Sequence, residues 1–163
     1  IRSNDPVMFF EPKRRYWQKG PVNLDTPPQD LYSARVIREG SDVTIATYGP
    51  MVHTSLQAAE VAASEGVSIE VIDLRSLSPI DFPTVIESVK KTGRLVTVSE
   101  APNSFSIASE ISARITEECF FHLQAPVLRV GGFDIPYPAA KLEEIYLPDA
   151  DRILEAVDRS RAY

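Results

Sequence analysis

From Ala34 onward the chain alternates between two hydrophobic periods. Ala34-Arg35-Val36-Ile37-Arg38 and the run from Val43 to Tyr48 are short β-branched stretches that predict strands, and Glu39-Gly40-Ser41-Asp42 between them reads as the turn of a hairpin. Thr54 then stands where a helix cap is expected, with Gln57 in the capping-box position. Leu56, Ala59, Val61 and Ala63 supply that helix with apolar surface, and Gly66 ends it. Val67 to Asp73 is the next strand, alternating at first and then continuously apolar.

The unit then recurs. Asp81 is placed to cap a second helix with Pro83 in its first turn, where a missing N–H costs nothing. Val85, Ile86 and Val89 face inward, and Lys90-Lys91-Thr92-Gly93 closes the end with positive charge and a glycine. Leu95 to Ser99 is a strand, and Ile107, Ile111 and Ile115 form one stripe of the helix that follows. Val127 to Val130 is the last strand, and Asp149 or Asp151 starts a terminal helix carrying Ile153, Leu154 and Val157. Strands alternating with helices predict βαβ crossovers. The expected fold is a three-layer α/β/α domain over residues 32–163, with a mostly parallel sheet of about five strands and one antiparallel edge strand.

Residues 1–31 follow neither period. Val7-Met8-Phe9-Phe10 reads as the end of a buried strand, either an N-terminal edge strand or the last piece of a preceding domain on a longer chain. Glu11 to Leu31, with Lys13-Arg14-Arg15-Tyr16-Trp17 and paired prolines, reads as a linker. Its basic and aromatic residues also suit a nucleic-acid patch. The 163 residues carry 17 basic and 23 acidic side chains, a net charge of −6, which repels phosphate backbones and argues against nucleic acid as a partner. No stretch approaches the roughly twenty apolar residues of a membrane span, so no membrane partner is expected. The single cysteine, Cys119, excludes an intramolecular disulfide, and its acidic neighbours oppose thiolate chemistry.

Ligands of open α/β sheets sit beyond the C-terminal strand ends. Those ends carry no glycine-rich dinucleotide or triphosphate motif and no nucleophile elbow. His53 lies beside them, either as an acid or base or as a hydrogen-bonded structural residue. Glu100 and Asp134 either pair as two carboxylates or hold neighbouring loop N–H groups. His122, after a helix, reads as a surface or packing residue. No complete active site emerges, although a free-standing small-molecule enzyme built on His53 with Glu100 or Asp134 remains one reading.

A series of segments then carries a family resemblance. Phe9-Phe10-Glu11-Pro12-Lys13, Glu39-Gly40-Ser41-Asp42-Val43-Thr44, Val71-Ile72-Asp73-Leu74-Arg75, Lys91-Thr92-Gly93-Arg94-Leu95, Glu100-Ala101-Pro102, Ala108-Ser109-Glu110-Ile111 and Asp134-Ile135-Pro136-Tyr137-Pro138 occur in order. Together they closely resemble the beta subunit of the thiamine-diphosphate-dependent decarboxylase component of 2-oxo acid dehydrogenase complexes. The branched-chain variety looks nearest, through the Phe-Phe-Glu-Pro-Lys run and Glu117-Glu118-Cys119-Phe120; a pyruvate or acetoin type, or another transketolase-like enzyme, is the alternative.

The resemblance implies a transketolase-like C-terminal domain, with residues 1–31 as the end of a pyrimidine-binding domain plus linker. It implies an alpha subunit and a second beta subunit as partners in a heterotetramer. It also implies docking of the lipoyl acyltransferase component through a small subunit-binding domain. Thiamine diphosphate and magnesium would belong to the intact enzyme, with no catalytic, cofactor or metal residue carried over to this chain. The compartment implied is the cytoplasm in a bacterium or the mitochondrial matrix in a eukaryote. Gln124 and Tyr163 are the partner contacts the resemblance suggests, although relatives often carry an acid at the first of these. Relatives also tend to have paired glycines where this chain has Phe105 and Ser106.

Overall fold

The computed structural model describes residues 4–28 and 30–163. Five strands make one sheet: β1 Arg35–Arg38, β2 Val43–Thr47, β3 Ile69–Asp73, β4 Leu95–Pro102 and β5 Leu128–Gly132, in the order β1-β3-β2-β4-β5. All neighbours run parallel except β1, which lies antiparallel at the outer edge. Among the described residues, five α-helices complete the domain: α1 Met51–Ser64, α2 Phe82–Thr92, α3 Ile107–Cys119, the single turn α4 Glu143–Tyr146, and α5 Ala150–Arg161. None is long and apolar enough to cross a membrane.

Strand alternation splits the core into two layers. Val43, Ile45, Ile69, Val71, Val96 and Val98 face α1 and α5. Ala46, Ile72 and Leu95 face α2 and α3, where Ile111, Ile115 and Cys119 close the layer. The second face is the more polar one. Thr44 Oγ1 bonds to Ser88 Oγ at 2.6 Å and to Thr92 Oγ1 at 2.7 Å, so its buried hydroxyls satisfy one another.

The antiparallel strand is where expected, but it forms no hairpin with β2: it pairs with β3. Residues 39–42 instead cross over the start of β3. A Cβ at Gly40 would stand 2.2 Å from Glu70 N, so only glycine permits this crossing. Asp42 Oδ2 accepts from Ser68 N at 2.8 Å, and the Asp42 and Ser41 amides donate to Ser68 O. Glu70, with its side chain only 2% exposed, accepts from Gly40 N at 3.3 Å and pairs with Lys91. Both edges of β2 are taken by parallel neighbours, and β1 is displaced outward.

Helix starts divide in the same way. Asp81 caps α2 through Thr84 N at 3.3 Å and also accepts Ala34 N at 2.9 Å, which ties it to the entry of β1. Gly93 ends α2 at φ +69°. Of the two candidates for the terminal helix, Asp149 is the cap, accepting Arg152 N at 2.9 Å. Thr54 caps nothing. Gly49, at φ +58°, and Pro50 start α1 before Met51, so Thr54 lies inside the helix and the expected capping box is not formed. The buried face of α1 is therefore Met51, Ser55, Ala58, Ala59 and Ala62, with Val61 and Ala63 exposed. Residues Val7 to Phe10 form no strand and are exposed.

Candidate functional site

The winding of the sheet singles out one crevice. From β2 the chain passes through α1 to β3 on one side, then returns through α2 to β4 on the other. The direction reverses between β2 and β4, and the space beyond their C-terminal ends is where doubly wound folds hold ligands. Tyr48-Gly49-Pro50 and Glu100-Ala101-Pro102 border it.

That crevice is an open cleft of about 380 Å³, and the chain's own N-terminal segment forms one wall of it: Pro12 and Lys13 face Pro50, Glu100, Tyr137 and Glu143. Tyr137 Oη donates to the Glu143 carboxylate. An adjoining cleft of about 490 Å³ holds His53, again walled by the segment through Phe10, Pro12 and Arg15. Arg15 Nη2 donates to Pro50 O at 2.6 Å and fastens the segment to the end of β2. His53 sits in the first turn of α1, with its side chain exposed.

His53, Glu100 and Asp134 do not converge. His53 and Glu100 line separate clefts, while the Asp134 carboxylate accepts Ser104 N at 3.2 Å and Ser104 Oγ at 2.7 Å. Glu70 and Asp81, two groups with displaced titration, lie away from both clefts. Burial works against the charge of Glu70, but bonds from Lys91, Ser88 and Gly40 N–H outweigh it and hold the carboxyl below its ordinary range. Asp81 is held low in the same sense, its burial outweighed by Thr84 and by Ala34 N–H. Burial pushes the Cys119 thiol up, which makes it a packing residue.

Gln124 and Tyr163 occupy the opposite end of the sheet. Gln124 N donates to Gly93 O at 2.8 Å, and its side chain covers Gly93, where a Cβ would come 2.8 Å from Cδ. Arg94 links the two positions: Nη1 donates to Gln124 Oε1, and Nε donates to Ser160 O in the last turn of α5 at 3.1 Å. Tyr163, just beyond that turn, is 72% exposed. The Gln124 carbonyl is thus engaged within the chain, and Tyr163 is presented outward.

One grouping escaped the sequence reading. Arg129 on β5 and Arg152 and Arg159 on α5 line a cleft of about 330 Å³ along the outer edge of β5. Its only sequence signal is a charged residue inside Val127-Leu128-Arg129-Val130.

Residues 33–153 match the family described as transketolase, C-terminal domain. The chain is 58% identical over all its 163 residues to the pyruvate dehydrogenase E1 component subunit beta of Leifsonia xyli subsp. xyli, covering 48% of that protein. It is 49% identical over 160 residues to the 3-methyl-2-oxobutanoate dehydrogenase subunit beta of Mycobacterium tuberculosis, covering 98% of this chain and 46% of that one. Identity is thus higher to the pyruvate-type subunit, against the expectation that the branched-chain type stands nearest. Among solved structures, a split gene transketolase in an inactive beta4 tetramer superposes with a TM-score of 0.74 at 30% identity, covering 88% of this chain and 46% of that one. The chain spans about half the length of the curated relatives it matches. The sheet order, the crevice at its reversal and these matches agree: the chain belongs to the transketolase C-terminal domain family, and its similarity runs to the E1 beta subunits of 2-oxo acid dehydrogenases.

Proposed function

We propose that this chain is the assembly and docking half of an E1 beta subunit whose reactive half lies on other polypeptide. The observation that carries this reading is the crevice at the sheet reversal: one wall of it is the chain's own Pro12 and Lys13, and His53 lines a different cleft from Glu100. Thiamine diphosphate, when bound, supplies the carbanion chemistry of 2-oxo acid decarboxylation. The residues present do not fit it. Among the described residues no group of three or more His, Cys, Asp or Glu could hold its metal ion. The strand ends also lack a glycine-rich phosphate cradle.

In this reading the intact enzyme is an alpha–beta heterotetramer that decarboxylates a 2-oxo acid and passes the acyl group to a lipoyl arm. Pyruvate is the favoured substrate, on the 58% identity to a pyruvate-type subunit. A branched-chain 2-oxo acid is the second reading, on the 49% identity to a 3-methyl-2-oxobutanoate dehydrogenase subunit. Residues 1–31 are the end of a pyrimidine-binding domain and its linker. Their exposed Phe9, Phe10 and Trp17 are expected to pack on that domain or on a neighbouring subunit. The Gln124–Arg94–Tyr163 end is the proposed docking surface for the acyltransferase component.

The test uses the complete beta subunit with its alpha partner. Removing Tyr163 together with Gln124→Ala is expected to weaken acyltransferase binding, read by sedimentation velocity, while decarboxylation of the 2-oxo acid stays unchanged. Loss of decarboxylation with docking intact refutes the division of labour. A His53→Ala variant that keeps full turnover leaves His53 outside the reaction; one that abolishes turnover without changing assembly contradicts the division of labour.

A further inference from the structure

The last strand of the sheet, β5, pairs with β4 on one side, and no described strand pairs with it on the other. Thr97 Oγ1 donates to Leu128 O at 3.4 Å, so Leu128 turns its backbone groups toward β4. Backbone direction alternates along a strand, and Arg129 and Gly131 therefore turn theirs to the open side. Arg152 Nη2 donates to the Gly131 carbonyl there, while no side chain among the described residues is bonded to the Arg129 amide or carbonyl.

The cleft along this edge has two walls of matching charge. On the α3 side, Arg129 Nη1 donates to Asn103 O at 3.1 Å and to Ser109 Oγ at 2.7 Å, which fixes the guanidinium at the cleft. On the other side stand Arg152, Glu155 and Arg159 of α5. Neither Glu155 nor Arg159 enters an ion pair among the described residues. Three guanidiniums against one carboxylate make the edge cationic, on a chain of net charge −6. A second copy of β5 fits poorly there, because an antiparallel pairing sets Arg129 of one copy near Arg129 of the other.

We propose that this edge receives an extended acidic segment of a partner protein as a sixth strand. The backbone of that segment pairs with Arg129, which lines the cleft, while Arg152 keeps the buried Gly131 carbonyl. Consecutive residues of a strand project to opposite faces, so two adjacent carboxylates divide between Arg129 on one face and Arg159 on the other. Backbone pairing supplies affinity and the arginines supply selectivity, as in other cases of strand addition. The inference does not depend on the substrate or on the cofactor.

The test is fluorescence anisotropy of labelled extended peptides added to the chain. One peptide carries adjacent glutamates between β-branched residues. A second has the same sequence with alternate backbone amides N-methylated, and a third carries lysines in place of the glutamates. Only the first is expected to bind, with affinity falling as salt is raised. Arg159→Glu, on the solvent side of α5, is expected to weaken binding by roughly tenfold, with Arg159→Lys close to the parent. Glu155→Gln is expected to tighten it. Each variant is compared at unchanged far-ultraviolet circular dichroism. Equal binding of the N-methylated peptide shows charge attraction without strand pairing and overturns the proposal. So does equal binding of the lysine peptide, or no binding of any peptide.

Discussion

The N-terminal segment and the sheet domain use apolar side chains in opposite ways. In the domain, Ile45, Ile69, Ile115 and Ile153 are fully buried and packed from both faces of the sheet. In the segment, Phe9, Phe10 and Trp17 project into solvent, Trp17 at 90% exposure. Both stretches carry large apolar side chains, but only the domain packs them into a core. The segment is held to the domain by a polar bond, Arg15 to Pro50 O, and by lying along the clefts at the strand ends. Apolar area stabilises only when it leaves water, by about 25 cal/mol per Å². The domain thus carries its own stability, whereas the segment's aromatics are available to whatever packs on them.

That contrast can be broken by mutation. Ile69→Ala is expected to cost about 2–5 kcal/mol, because the cavity opens in the fully buried core layer between β3 and α1. The midpoint of urea unfolding should fall with little change in slope. Gly40→Ala is expected to cost about 3 kcal/mol, since its Cβ meets the Glu70 and Ile69 backbone rather than a movable side chain. An unchanged midpoint for either variant contradicts the packing described here. Asp81→Ala removes a helix cap and the tether to Ala34 together, and about 1–2 kcal/mol should be lost.

Smaller effects sharpen the comparison. Glu70 titrates below its ordinary value of 4.5 in the folded chain, so its contribution is complete above that value and is lost as pH falls through the depressed one. Unfolding midpoints measured from pH 6 down to pH 3 should therefore drop more steeply for the parent than for Glu70→Gln. Equal slopes would mean that the Lys91 pair does not hold the carboxylate. At the lowest end, Trp17→Ala should change stability by less than about 0.5 kcal/mol in the chain alone. A larger loss would place that ring in the domain's core.

Much of the domain was legible because its elements satisfy local rules. The Ile111–Ile115 stripe, the Asp81 and Gly93 helix ends and the alternation of strands with helices each follow from short-range chemistry. The failures were non-local. Glu39-Gly40-Ser41-Asp42 has the composition of a hairpin turn, yet its glycine serves a crossing over β3 that no pattern within those residues reveals. Thr54 and Gln57 fit a capping box, but Gly49 and Pro50 start the helix first and bring Met51 into the core. At the strand ends, His53 and Glu100 line separate clefts and Asp134 bonds Ser104, a separation that depends on which loop partner each one meets. The arginine-lined edge of β5 draws on residues thirty apart, and spacing along the chain could not assemble it.

The proposed division of labour requires a chain that folds by itself and leaves the cofactor chemistry to other polypeptide. Calorimetric titration of thiamine diphosphate with magnesium into the chain alone tests this most directly, alongside its unfolding curve. The account predicts a cooperative unfolding transition and no saturable heat of binding. Stoichiometric binding, lost on replacing His53 or Glu100, would contradict it.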